Sequence, residues 1–272
     1  MSYTASSRAL VTGATSGIGQ STASALAALA IEVGVLAESP TQVDITVAEI
    51  RASGGRAFPV CVDLSKRDDL TGLVDRLESE HGPIDILVNN AGIGMQADVL
   101  QIRDDDLRLL FDVNYFAMVT LSRDALYHMA ARRHGHIINI SSTAAKRALP
   151  GLGIYASTKA AMHTFTQALR IEGRACGVHV TEVLPMSVRT PFFRNAVNRS
   201  SGEYEASSFT TTPEAVAARI VKAIRRPKPE IYTSTLSRVI LALDAINPRW
   251  FDTILLARRK RQRALEMAAE NT

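Results

Sequence analysis

At 272 residues, with 46% hydrophobic and 21% charged side chains, the chain has the length and apolar content of one α/β domain; collagen-like, fibrous and disordered classes are excluded. The formal net charge is +4, from 31 Lys and Arg against 27 Asp and Glu, but five of those bases stand together at residues 258–263, and without them 26 bases face 27 acids. Basicity therefore belongs to the tail, which argues against a nucleic-acid footprint over the body of the fold. Cys61 and Cys176 lie 115 positions apart with no metal or disulfide spacing and read as two buried free thiols in a reducing cytoplasm. Residues 1–8 are polar, without the apolar core of a signal peptide, and no run approaches the roughly 20 apolar residues that span a bilayer. A cytoplasmic protein is expected, peripheral to a membrane at most.

Along the chain, short apolar runs alternate with longer amphipathic stretches. Strands are predicted at 9–11, 32–37, 57–62, 84–88, 136–140 and 178–184, most of them continuously apolar, as in a parallel sheet covered on both faces. Helices are predicted at 17–30, 42–52, 67–80, 104–131 and 155–176, long enough to act as right-handed crossovers. The fold class is α/β: a single-domain, Rossmann-like, doubly wound parallel sheet with helices on both faces. The domain is expected to span 1–226, including a surface excursion at 191–213 rich in Ser and Thr, a length at which loops are functional or disordered. Residues 227–272 read as a C-terminal helical extension, packed on the domain or peripheral to a membrane.

Between the first strand and first helix stands Thr12-Gly13-Ala14-Thr15-Ser16-Gly17-Ile18-Gly19. Glycines there permit a tight turn and close backbone approach, and the following helix offers its N-terminal amides to a pyrophosphate. Alone the string is weak, because its first glycines are two residues further apart than in G-x-G-x-x-G. A second constellation lies downstream: Tyr155 and Lys159 are four apart, hence on one helical face, and Ser142 stands 13 residues before Tyr155 at the end of an apolar strand. Asp63-Leu64 follows the third strand, Asn89-Asn90-Ala91-Gly92 the fourth, and Val113-Asn114 lies in the long fourth helix.

In this order and spacing, residues 8–190 resemble the short-chain dehydrogenase/reductase family in its ordinary subtype. The resemblance implies a catalytic triad of Ser142, Tyr155 and Lys159, completed to a tetrad by Asn114, with Ser142 and Tyr155 also touching substrate. It implies a dinucleotide held by Gly13, Ser16, Gly17, Ile18, Gly19, Asp63, Leu64, Asn90, Ala91, Gly92, Tyr155, Lys159, Pro185, Val188 and Thr190. A free tyrosine titrates near pKa 10, and a neighbouring Lys159 cation favours the phenolate, which brings Tyr155 towards proton transfer at neutral pH. Ser141, one residue too far from Tyr155, is expected to be structural. The function implied is NAD(P)-dependent interconversion of a secondary alcohol and a ketone, lipophilic in the manner of a steroid, retinoid or acyl compound. The alternative is a non-catalytic binding or scaffold protein on the same fold.

The sequence departs from the family at Pro185-Met186, where Pro-Gly is common, so a bulkier residue stands beside the expected nicotinamide. Glu38 lies 19 residues past Gly19, close to the offset of about 20 for a ribose-binding acid, and no base lies between Ala37 and Asp44. A carboxylate there repels a 2′-phosphate, so NAD is favoured over NADP. His134 and His136 read as a solvated helix end and an exposed strand start; no metal is expected. Trp250 and Phe251, near the basic cluster, fit either an interfacial helix on anionic lipid or a helix covering the cleft or a subunit face. The resemblance further implies a homodimer or homotetramer built through residues 104–131 and 155–176.

Overall fold

The computed structural model describes residues 3–200 and 210–270. Part of the predicted excursion at 191–213 therefore lies outside the described residues. Seven strands form one wholly parallel sheet: β1 (Arg8–Thr12), β2 (Glu32–Ala37), β3 (Ala57–Cys61), β4 (Ile86–Asn89), β6 (His136–Ile140), β7 (His179–Leu184) and β9 (Glu230–Tyr232). Their order is β3-β2-β1-β4-β6-β7-β9. A separate two-residue pair joins β5 (Met95–Gln96) to β8 (Val197–Asn198).

Side-chain alternation divides the core in two. On one face Val11, Val35, Val88 and Ile138 pack against α1 (Gly17–Ala27), α2 (Pro40–Ala52) and α8 (Pro213–Arg225). On the other, Leu10, Leu36, Leu87 and Ile137 pack against α3 (Arg67–Leu70), α4 (Leu73–His81), α6 (Ala117–Arg132) and α7 (Gly153–Ala175). Each such fully buried aliphatic side chain contributes about 1.5–3 kcal/mol relative to leaving it in water, which is why these strands are apolar at consecutive positions. The order reverses beside β1, so the loops after β1 and β4 leave in opposite directions and open a crevice at the carboxyl ends of the strands.

The predicted sheet and crossovers are present, with informative differences. The helix expected at 67–80 breaks at Gly72, whose φ of +65° interrupts α-helical geometry. The long helix expected at 104–131 is α5 (Asp104–Phe111) and α6 joined by a π turn over Asp112–Phe116. α8 was not anticipated, although Thr212 caps it by accepting from the Ala215 N–H and Pro213 opens it. β9 extends the sheet into the segment expected to be an appendage, followed by α9 (Thr235–Ile246) and α10 (Pro248–Glu270). Cys61 is exposed because β3 is an edge strand whose alternate residues face outward, and Cys176, at the C-terminal cap of α7, is half-buried. His136 is fully buried instead of exposed: burial pushes its pKa down to about 3, and it shares a 2.8 Å hydrogen bond with Thr181.

Candidate active site

The crevice is built first by two loops clamped together. Gly13 has φ +61°, and a Cβ there would stand 2.9 Å from the Ala91 Cα. The Asn90 amide donates to the carbonyls of Thr12 and Gly13 at 2.9 and 3.2 Å, while the Thr12 hydroxyl accepts from the N–H groups of Asn90 and Ala91. Gly19 lies under this clamp, where a Cβ would fall 2.1 Å from the Gly13 carbonyl oxygen. Ser16 caps α1 without a side-chain bond, and no acid stands in the first turn. The amides and positive dipole end of α1 are thus uncompensated beside Ser16, Gly17 and Ile18 at the cleft wall, a cradle that fits a pyrophosphate.

The second wall comes from β6 and α7. β6 ends before Ser142, whose Oγ accepts from the Ala144 N–H at 3.1 Å and stands at the cleft. The adjacent Ser141 hydroxyl donates to the Lys159 carbonyl, and Ser141 borders the cleft as well. Tyr155 and Lys159, one turn apart on α7, are both buried and both border the cleft, with the ammonium 6.0 Å from the tyrosine ring centre. Lys159 donates to the Ile140 carbonyl at 2.9 Å. Asn114 sits behind them in the π turn, fully buried; its Oδ1 accepts from the Ile93 N–H at 2.8 Å and its amide donates to the Ile93 carbonyl and the Thr158 hydroxyl. It joins the loop after β4 to the helix that carries Tyr155, and the widened turn is what aims it there.

One charged residue behind this wall was not singled out from the sequence. Glu182, fully buried on β7, accepts one close contact from His163 at 2.7 Å, and its second oxygen has no hydrogen-bond partner among the described residues. Its strand neighbour Glu230 is held by Lys146 at 3.1 and 3.2 Å and by the Tyr232 hydroxyl. Burial pulls the Lys159 pKa down to about 8, and the charge of Glu182 opposes that fall. Glu182→Gln is therefore expected to move the alkaline limb of the kcat/KM profile for ketone reduction to lower pH. The variant then loses several-fold more activity at pH 9 than at pH 7; an unmoved limb would show that Glu182 does not act on the Tyr155–Lys159 pair. The visible signal was a lone acid in an otherwise buried strand.

A sequence model of the family described as short chain dehydrogenase matches residues 7–201. The chain belongs to the short-chain dehydrogenase/reductase family. It is accordingly an oxidoreductase of the CH–OH/ketone class. Ketoacyl reductase HetN of Nostoc sp. is 30% identical over 258 residues, covering 90% of this chain and 89% of that protein. A short chain dehydrogenase from Burkholderia cenocepacia, solved in complex with NADP, is 30% identical at a TM-score of 0.72, covering 84% of this chain and 96% of that one. A Burkholderia phymatum short chain dehydrogenase/reductase solved with NAD shares the fold at a TM-score of 0.81 with 23% identity, over 90% of this chain and 94% of that one.

In this short-chain dehydrogenase/reductase the cleft encloses about 560 Å³. Gly92, Pro185, Val188 and Thr190 border it together with the residues already described. Met186 borders it too, without the left-handed φ that would demand glycine, so the departure from Pro-Gly adds bulk but no backbone strain. Glu38 is exposed just past the end of β2, and Asp63 and Leu64 follow the end of the neighbouring β3; none of the three borders this cleft. Ser65 donates to Asp63 through both its N–H and its hydroxyl, which holds that carboxyl below the usual range. Phe192 and Phe193 pack on the Tyr155 ring at 5.7 and 5.9 Å between centres. Arg147 ties the loop after β6 to α9 through Asp244 at 3.2 Å and to α10 through Asp252 at 2.6 Å, so both C-terminal helices help to wall the cleft.

Proposed function

We propose that this enzyme interconverts a secondary alcohol and a ketone carried on a lipophilic body of steroid, retinoid or acyl type, with NAD or NADP as hydride partner and NAD favoured. The observation that supports this most is the placement of buried Tyr155 and Lys159 in a cleft also bordered by the apolar side chains of Leu149, Leu152, Phe192, Phe193, Leu241 and Leu255. When bound, the nicotinamide supplies or accepts the hydride. Ser142 then donates a hydrogen bond to the substrate oxygen, Tyr155 gives or takes its proton, and the Lys159 cation favours the phenolate. Asn114 is the positioning residue that holds the loop after β4 against α7. The pyrophosphate belongs to Gly13, Ser16, Gly17, Ile18 and Gly19, the adenine side to Asp63 and Leu64, the nicotinamide ribose to Tyr155 and Lys159. Asn90, Ala91 and Gly92 shape the middle of the groove, and Pro185, Val188 and Thr190 the carboxamide end. Glu38, at the carboxyl end of β2, is assigned to the adenosine ribose. A homodimer or homotetramer through α5, α6 and α7 is supported by Leu109, Phe116, Tyr127 and Ile171, all exposed on those helices and their π turn.

Titration of the protein with NADH and NADPH, followed by nicotinamide fluorescence, tests the cofactor assignment: NADH is expected to bind about tenfold more tightly, a difference of about 1.4 kcal/mol. Tighter NADPH binding would reverse the Glu38 argument, and binding of neither would overturn the enzyme reading. With the preferred nucleotide, ketones of increasing alkyl length are expected to show KM falling about fourfold per methylene, the equivalent of about 0.8 kcal/mol, until the cleft is filled. A KM independent of chain length would refute the lipophilic substrate.

A further inference from the structure

α9 is built inside out. Its polar residues Ser237 and Asp244 are buried, whereas Leu236, Val239, Leu243 and Ile246 are 50%, 51%, 45% and 80% exposed. At spacings of three and four they form one outward apolar stripe. The stripe continues around the elbow into α10, where Trp250 is 55% exposed and Leu256 is also outward. An amphipathic helix that only covered a cleft would turn the other way, and a continuous apolar surface of this kind marks a docking site.

The charges around the stripe say what docks there. Asp244 of α9 and Asp252 of α10 share the single guanidinium of Arg147, at 3.2 and 2.6 Å. Exposed Arg238, Arg249 and Lys260 have no acidic partner among the described residues. The rim is thus cationic around an apolar centre that carries a tryptophan. A second copy of this chain docking through the same patch would set cations against cations across its twofold axis. An anionic bilayer surface instead supplies negative headgroups for the rim and acyl chains for the stripe. No described helix is long and apolar enough to cross a membrane, so the elbow would lie in the interface.

We propose that the outer faces of α9 and α10 dock on anionic lipid, with Ile246 and Trp250 at the deepest point. The inner faces of the same helices, at Leu241, Phe251 and Leu255, wall the substrate cleft. Docking therefore sets one wall of the cleft against the bilayer, which, resting on the lipophilic substrate proposed above, brings that substrate's membrane pool within one helix layer of the site.

Trp250 is the chain's single tryptophan, so its emission reports this surface alone. Added vesicles of phosphatidylcholine mixed with phosphatidylglycerol are expected to shift the emission to the blue. Brominated acyl chains are expected to quench it, and high salt to weaken the effect. Pure phosphatidylcholine vesicles should give a much smaller shift. The double variant Leu243→Asp, Ile246→Asp is expected to abolish the shift while leaving turnover of a water-soluble ketone unchanged. If that variant does not fold, Arg249→Glu with Lys260→Glu serves, with binding to anionic vesicles lost and the apolar stripe intact. An unshifted emission overturns the proposal, as does equal binding to both vesicle types. So does a lipid-free dimer that the double variant dissociates, which would make the patch an interface between copies. Binding is read without substrate, so its failure and that of the proposed reaction are separately visible.

Discussion

Tyr155→Phe is expected to lower kcat by about a thousandfold, within the 10²–10⁴ that a positioned proton donor contributes, and to weaken nucleotide binding by only about fivefold, the loss of one hydrogen bond to the ribose. The substitution removes one oxygen and keeps the ring. That ring is buried among apolar neighbours, with Phe192 and Phe193 at 5.7 and 5.9 Å, so phenylalanine fits the same space and the cleft keeps its shape. What is lost is the group that gives or takes the proton beside Lys159. Turnover of a reduced ketone and a nucleotide titration on the same preparation separate the two outcomes. Full activity in the variant would remove Tyr155 from the reaction, and loss of nucleotide binding together with turnover would make its role structural.

Gly19→Ala is expected to weaken nucleotide binding by about 5- to 150-fold, the equivalent of the 1–3 kcal/mol that an overpacked buried site costs. A Cβ at this position would stand 2.1 Å from the Gly13 carbonyl oxygen and 2.5 Å from the Asn90 amide nitrogen. The nearer neighbour is backbone and cannot rotate away, so the loop after β1 must move and the Asn90 clamp must lengthen. The same loop forms the pyrophosphate cradle, so nucleotide affinity is what registers the displacement. Gly153→Ala is the matched control, because a Cβ there meets nothing within 4 Å, and it should bind nucleotide normally. Equal affinity in the two variants would show that the loop after β1 does not hold the nucleotide.

The sheet, and the placement of Tyr155 and Lys159 together, were legible because their signals are local. Buried parallel strands must be apolar at consecutive positions, and a spacing of four on one helix fixes Tyr155 and Lys159 to one face whatever surrounds them. Asn114 could be placed in the fourth helix, but the π turn that aims it has no marker in Asp112-Val113-Asn114-Tyr115-Phe116. Burial of His136 and exposure of Cys61 depend on which strand stands at the edge and which in the middle, and strand order is set by long-range pairing. Glu182 was visible as an acid in a predicted strand, yet its relation to Lys159 exists only once β7 lies under α7. The outward stripe of α9 was unreadable for a similar reason. Periodicity gives the apolar face of a helix, and only the packing of Ser237 and Asp244 beneath Arg147 tells which way that face turns.

Arg147 stands five residues beyond Ser142 and ends on both Asp244 and Asp252. One guanidinium thus bridges three segments that are far apart in sequence. Any excursion that lifts α9 and α10 from the cleft must release both carboxylates and, in the same movement, free the chain that leads back to Ser142. Through that one side chain the segment that follows Ser142 and the two helices that wall the cleft are held as a single unit.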